Sequence, residues 1–367
     1  MVLWLWISFA GAALASDRHI NYWKEAWPRT DFSKHMVPFE EIQDGGPPKD
    51  GIPAIDKPRF DAVDTAARTL SAREPVIALE IAGEAKAYPL SILMWHEIVN
   101  DRLGGVPVVV TFCPLCNASI VFDRRVGGQV FDFGTTGKLR HSDLVMYDRQ
   151  TETWWQQFTG SGLFGAHAGT LLVKIESQIV SFAEFRRAHP RARVLSRNTG
   201  FDRPYGRNPY QGYDRIDQSP FLLSGTPDAR LPPMERVLSV SAGGVDRVYP
   251  FKVLERTPVV NDAVGGSDVV VMSRPGTLSV LDAGEIRDSR SIASASAFLR
   301  RVDAQVLSFE SRGAGRIHDR ETGSEWDLLG RAIAGPLKGK RLTPAVSGVH
   351  FAFAWLVFRQ KSEIFGK

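Results

Sequence analysis

Apolar and polar residues along this chain alternate in short blocks cut by Gly, Asp and Arg. VIALEI and EAKAYPL read as the two arms of a hairpin. In SILMWHEIVND, Ile92, Trp95 and Val99 fall at helical intervals, which predicts a short helix ended by Gly104-Gly105. PVVVTF is a continuous apolar run, as expected of a strand buried on both faces. ASIVFD, GQVFDFG, DLVMYD and TWWQQF predict four further short strands, and SFAEFRRAHP predicts a closing helix. Short strands at regular spacing with few helices imply an α+β fold, mainly antiparallel β, built on a sheet or half-barrel. Neither a Gly-rich phosphate loop nor a long βαβ alternation occurs, which argues against a nucleotide-binding α/β fold.

The block pattern also repeats. Residues 74–111 and 235–272 align without a gap and share Tyr-Pro (Tyr88-Pro89, Tyr249-Pro250), Val-Asn-Asp, Gly-Gly and Val-Val-Val. Further on, DRQTETWW from Asp148 answers DRETGSEW from Asp319, and SFAEF near Phe182 answers FAFAW near Phe353. The implied plan is two internally duplicated lobes. A leader covers 1–15 and an irregular segment 16–72, wrapping the first repeat lobe over 73–200. A linker rich in Tyr, Gly, Pro and Asp spans 201–232, and a second, degenerate lobe fills 233–367.

Composition narrows the class. With 43% hydrophobic and 23% charged residues the chain reads as an ordinary globular protein. Lys and Arg (45) barely exceed Asp and Glu (41) and are scattered, so no nucleic-acid partner is expected. The opening MVLWLWISFAGAALAS ends its apolar run at Ala13-Leu14-Ala15, a small-x-small pattern of signal-peptidase sites. That predicts a signal peptide and export, with the periplasm as destination. The run is shorter than the roughly 20 residues that cross a bilayer, so no stable membrane span is expected. Outside the cytosol, paired thiols oxidise unless a metal or a reducing partner holds them.

The duplication supplies an internal control for function. Features present in both lobes answer to the shared fold, and on that ground Asp148-Arg149 and Asp319-Arg320 read as structural ion pairs. The chain's two cysteines behave otherwise. Cys113-Pro114-Leu115-Cys116 falls on Arg274-Pro275-Gly276-Thr277, which keeps the proline, and the turn with it, but neither sulfur. His96 falls on Thr257 and Glu97 on Pro258. Both thiols and the histidine are absent together from the second lobe, so they are the candidates for chemistry.

Three readings fit a Cys-x-x-Cys pair. A structural disulfide across so short a loop contributes only about 2 kcal/mol by loop entropy, a weak reason to place both thiols here. A redox-active dithiol would make the protein a thiol/disulfide-type oxidoreductase with an unidentified electron-transfer partner. Cys113 would then attack, Cys116 resolve and His96 tune the pair. A metal site would join Cys113, Cys116 and His96 to one more ligand, a donor set suited to zinc or copper, in a knuckle where Asn117 tolerates positive φ. His141 and Met146 are further candidate ligands. Ser91, Ser119 and Ser142 lack a nucleophile-elbow context, and Trp154, Trp155 and Phe158 read as strand core.

AYPLSILMWHEIVND, GGVPVVVTFCPLCNASIVFDR, GKLRHSDLVMYDRQTETWWQQFTG and RNPYQGYD together resemble the uncharacterised bacterial family numbered 3179 among domains of unknown function. The similarity runs from about DGIPAIDKPRF to the C-terminus, and the family carries no established reaction. Some of its members are selenoproteins, with selenocysteine at a motif-cysteine position. The resemblance therefore implies redox use of Cys113 and Cys116, with His96 inside the family's WHEIVND block. The family pattern has Asn where His141 stands, so His141 is not implied as a ligand.

Overall fold

The computed structural model describes residues 22–313 and 315–367. The leader predicted over 1–15 lies outside the described residues. The fold is α+β and mainly antiparallel, and it is built twice. In the first half, β1 (Pro75–Ile81) and β2 (Glu84–Pro89) form a hairpin, joined antiparallel by Gln178–Ser181 and parallel by Arg193–Leu195. The second half repeats this sheet with Arg236–Ala242, Val245–Pro250, the antiparallel Val346–Phe351 and the parallel Glu363–Ile364.

A meander of β3 (Ile98–Leu103), β4 (Val106–Cys113) and β5 (Ala118–Asp123) follows, answered by Val259–Val264, Ser267–Leu278 and Ser291–Leu299. A third sheet runs through β6 (Phe133–Arg140), β7 (Asp143–Asp148), β8 (Trp154–Gln156) and Gly162–Phe164. Its counterpart is Phe309–Arg312, Arg316–Asp319, Glu325–Trp326 and Ala332–Ala334.

Residues common to both halves do the same structural work twice. The Tyr88 hydroxyl donates to Asp101 at 2.7 Å, and that of Tyr249 to Asp262 at 2.7 Å. Asn100 exchanges two hydrogen bonds with the backbone of Phe133, as Asn261 does with Phe309. The Gly104-Gly105 and Gly265-Gly266 turns share φ values of 53° and 78°, which fit the primed hairpin turn that needs positive φ at both positions. A Cβ on Gly104 would sit 2.4 Å from the Ile81 carbonyl oxygen.

Three expectations are corrected. The helix α1 spans only Leu90–His96, because Glu97 turns left-handed (φ 56°) and Ile98–Leu103 continues as strand β3. Val99 is therefore a sheet residue, and Gly104-Gly105 closes the β3–β4 hairpin instead of ending a helix. The Asp-Arg pairs are not ion pairs. Asp148 accepts the Trp155 indole N–H at 3.0 Å and Asp319 that of Trp326 at 2.9 Å, while Arg149 reaches Asp50 and Arg320 reaches Glu310. Finally, the turn of Cys113–Cys116 is not kept in the second half. There the strand runs through Arg274–Thr277 with a bulge, so the tight turn belongs to the first half along with its sulfurs.

One apolar core joins the halves, from Ile77 and Val109 through Cys113 and Cys116 to Val237, Phe351 and Leu356. The N-terminal segment packs Trp23, Trp27 and Phe32 on Trp154 and Phe164, and adds Ile42–Asp44 to the edge of β6. Among the described residues, no helix is long and apolar enough to cross a membrane.

Candidate functional site

Strand β4 is buried along nearly its whole length, and its last residue, Cys113, pairs with Ala118 at the start of β5. The four residues between them turn tightly, closed by the Asn117 N–H donating to the Pro114 carbonyl at 3.2 Å. Asn117 takes φ 49°, a conformation asparagine tolerates, and this brings Cys116 back beside Cys113. Both are free thiols, 2% and 0% exposed. Their sulfurs share the Ser142 carbonyl at 3.9 and 3.6 Å.

That carbonyl belongs to the β6–β7 turn, where His141 and Ser142 both adopt positive φ (52° and 70°). The turn delivers Asp143, fully buried, so that Cys113, Cys116 and Asp143 offer ligand atoms within 4.8 Å of one another. One Asp143 oxygen is held by the Gln156 amide at 2.5 Å and the Phe158 N–H at 2.9 Å. The other, Oδ1, is buried and takes no hydrogen bond from a nitrogen or oxygen, while both thiols lie close enough to act on the carboxyl as donors. Glu97, a second buried carboxyl where α1 ends, lies near enough for its charge to act on Cys113 and for that of Asp143 to act on it. Left-handed backbone at a non-Gly residue costs roughly 1 kcal/mol or more, and here Glu97, Asn117, His141 and Ser142 all adopt it around the thiols.

Electrostatically the cluster is one-sided. Burial pushes the Asp143 carboxyl up to about 7, against the favourable hydrogen bonds from Gln156 and Phe158. Burial and then the Asp143 charge push Glu97 up to about 8. Burial raises both thiols, with Asp143 acting on each in the same direction. Among the described residues no Lys, Arg or His side chain forms an ion pair with Glu97 or Asp143. Buried acids without a counter-charge stay neutral or hold a cation.

His96 lies elsewhere in this arrangement. Its Nδ1 is 2.7 Å from the Pro53 carbonyl, which can only accept, so Nδ1 carries the proton and Nε2 accepts from the Tyr205 hydroxyl at 2.6 Å. Burial holds the imidazole below its usual range. His141 turns Nε2 toward Glu41 at 3.5 Å, and Met146 is buried in the core without joining the converging donors. Trp154, Trp155 and Phe158 pack as core, with Phe158 against His350, Trp355 and Phe358.

The linker covers the thiols. Tyr210 and Tyr213 pack against the core cluster that contains both cysteines. Burial raises both phenols, helped by Glu97 and Cys113 at Tyr210 and by Cys116 at Tyr213. From the second half, the Phe351 N–H donates to the Cys116 carbonyl at 3.0 Å.

The model of the family described as "Protein of unknown function (DUF3179)" matches residues 49–362. The chain belongs to that family. No curated protein and no solved structure matches it. The DUF3179 segment thus contains every residue of the cluster and the tyrosines over it.

Asp143, Glu97 and the tyrosine cover are not among the candidates the sequence offers, yet the internal control holds a signal for the two acids. Glu97 falls on Pro258, and counting back from the Asp148/Asp319 match puts Asp143 on Ala314. Both carboxyls are missing from the second half, just as the sulfurs are.

Proposed function

We propose that the protein holds a thiophilic divalent metal ion through Cys113, Cys116 and Asp143. The observation that carries this reading is the converging, buried set of two thiols and a carboxyl, to which, among the described residues, no positive side chain is paired. A cation there offsets the charge that burial otherwise suppresses, and binding would release the protons these groups keep when empty. Two thiolates and a carboxylate suit zinc(II) better than copper(I), which favours sulfur alone. Gln156 and the Phe158 N–H fix one carboxylate oxygen and so hold the carboxyl beside the sulfurs, the orienting role that outer hydrogen bonds play at metal centres. Such an ion would supply a Lewis-acidic or structural charge, and Tyr210 and Tyr213 would keep water from it. The expected export of the chain, resting on Met1–Ala15, would place this centre where an unligated thiol pair oxidises.

The second reading is the redox dithiol, favoured by the carboxyl beside the sulfurs. In that chemistry the two thiols pass two electrons to an oxidised partner as the S–S bond forms and release two protons, the first to Asp143 and the second to the reduced partner. Against it, burial raises both thiols, and neither Cys113 nor Cys116 is exposed as an attacking sulfur.

The deciding measurement is elemental analysis of protein purified without chelator, paired with thiol titration. One equivalent of zinc, with both thiols unreactive until a chelator is added, is the expected result. Metal-free protein that refuses zinc and cycles between dithiol and disulfide overturns the metal reading in favour of the redox one.

A further inference from the structure

The stretch from Thr199 to Asp214 has no strand beyond isolated bridges, yet it is fastened at both ends across the thiols. At the near end the Tyr205 hydroxyl lies 2.6 Å from His96 Nε2 and 2.5 Å from Thr199 Oγ1, and the Trp95 indole donates to the Arg207 carbonyl at 3.2 Å. Next, the Asn208 and Gly212 N–H groups donate to the carbonyls of Gly284 and Asp282 in the second half, at 2.9 and 2.8 Å. At the far end Asp214 is buried between Arg236, Ser279 and Arg290, at 2.5, 2.5 and 2.7 Å. Tyr210 and Tyr213 sit between these fastenings, against the cluster that holds Cys113 and Cys116.

The two fastenings differ in kind. Asp214 is a fully buried, multiply paired carboxylate, costly to release. Tyr205 is half-buried and held through neutral hydrogen bonds, each a small net contribution. We propose that residues 199–214 are a gate over the thiols, hinged on the Asp214 anchor and latched by His96 through Tyr205. This gives His96 a reason to accompany the cysteines. The second half, which has no thiols to cover, has Thr257 where the latch would stand. His96 thus acts on the sulfurs through the tyrosine, as a positioning residue.

The proposal rests on the metal reading only for what the gate admits, and the gating itself is read on metal-free protein. Because the chain has two cysteines, both here, native-state labelling with a thiol-specific disulfide reagent after chelator treatment reports the opening of this site alone. Tyr205→Phe removes the latch and keeps the ring. It should label about fivefold faster than the wild-type protein, the population shift that one ordinary hydrogen bond carries. The excess rate should be flat in low urea, since lifting one segment exposes little surface. A wild-type rate in Tyr205→Phe, or labelling that climbs with urea at the full unfolding slope, overturns the gate.

If that variant does not fold, hydrogen exchange on the wild-type protein decides. The amides of Asn208 and Gly212 exchanging together, well ahead of those in β4, support the gate, and exchange in step with β4 overturns it. Faster labelling in a protein that binds no zinc leaves the gate standing and removes the metal. Bound zinc with unchanged labelling does the reverse.

Discussion

The Gln156 side chain donates to Asp143 Oδ2 at 2.5 Å while its own carbonyl oxygen accepts from Arg140 at 3.2 Å. The carboxyl is thereby oriented from one side only. The arginine charge is held one residue away, and the carboxyl keeps the two thiols as its other neighbours. Asp143→Asn keeps an acceptor for Gln156 and Phe158 but removes the negative charge. It should fold and retain less than about a tenth of the wild-type zinc, since a lost charged ligand costs well over a factor of ten. Gln156→Leu leaves the charge but loses the orientation, and should weaken zinc affinity about 10- to 100-fold. Competition with a chromophoric chelator measures both, and unchanged affinity in Asp143→Asn would remove it from the ligand set.

His96→Gln tests the ligand set from the other direction. A glutamine amide can still donate to the Pro53 carbonyl and accept from Tyr205, and neither contact is made to a sulfur. Zinc content should stay at one equivalent, measured by elemental analysis. If it drops as far as in a Cys116→Ser variant, the imidazole is a ligand and the hydrogen bonds at Pro53 and Tyr205 give way when metal binds.

The acids also set how the metal-free protein responds to pH. Asp143 and Glu97 have folded values near 7 and 8, against ordinary unfolded values near 4. Between those limits the unfolded chain has given up protons that the folded chain keeps, so stability falls as pH rises. The two carboxyls perturb each other and titrate as a pair. Histidines complicate the acid side, because burial drives His350 down to about 3 and costs stability as pH falls below the ordinary histidine range. The clean window is therefore pH 7 to 8.5. There, urea unfolding of chelated protein should show stability declining with pH, and Asp143→Asn should flatten the slope. A flat or rising wild-type curve would contradict the burial of ionisable acids at this site.

Much of the fold was legible because strand patterning and duplication are local signals. VIALEI, EAKAYP and ASIVFD alternate or run apolar as strands must, and shared residues such as Tyr88/Tyr249 keep their partners in both halves. The helix boundary was misread because Val99 sits at helical spacing from Ile92 and Trp95, while the left-handed turn at Glu97 leaves no mark in a glutamate. At the site, sequence adjacency exposed Cys113 and Cys116. Their nearest partners come from distant turns, Asp143 through β6–β7 and Tyr210 and Tyr213 through the linker, and only tertiary packing joins these. The linker's turn-rich composition gives no hint that its tyrosines Tyr205, Tyr210 and Tyr213 pack inward against the core.

The duplicated Asp-Trp pairs allow a matched stability test across the halves. Asp148 accepts the Trp155 indole N–H at 3.0 Å and the Thr151 N–H at 2.6 Å, and Asp319 takes Trp326 and Thr322 at 2.9 and 2.6 Å. Both carboxylates and both indoles are fully buried. Alanine at either position strands a buried indole N–H and undoes a turn, a loss of about 2–4 kcal/mol when one orphaned donor costs about 1–3. Asp148→Ala and Asp319→Ala should therefore lower urea-unfolding stability by similar amounts. Only Asp148→Ala lies on the strand that carries Asp143, so it alone should also reduce zinc affinity. Equal zinc binding in both variants would mean that β7 does not position Asp143 through its far end, and that the β6–β7 turn alone fixes the carboxyl.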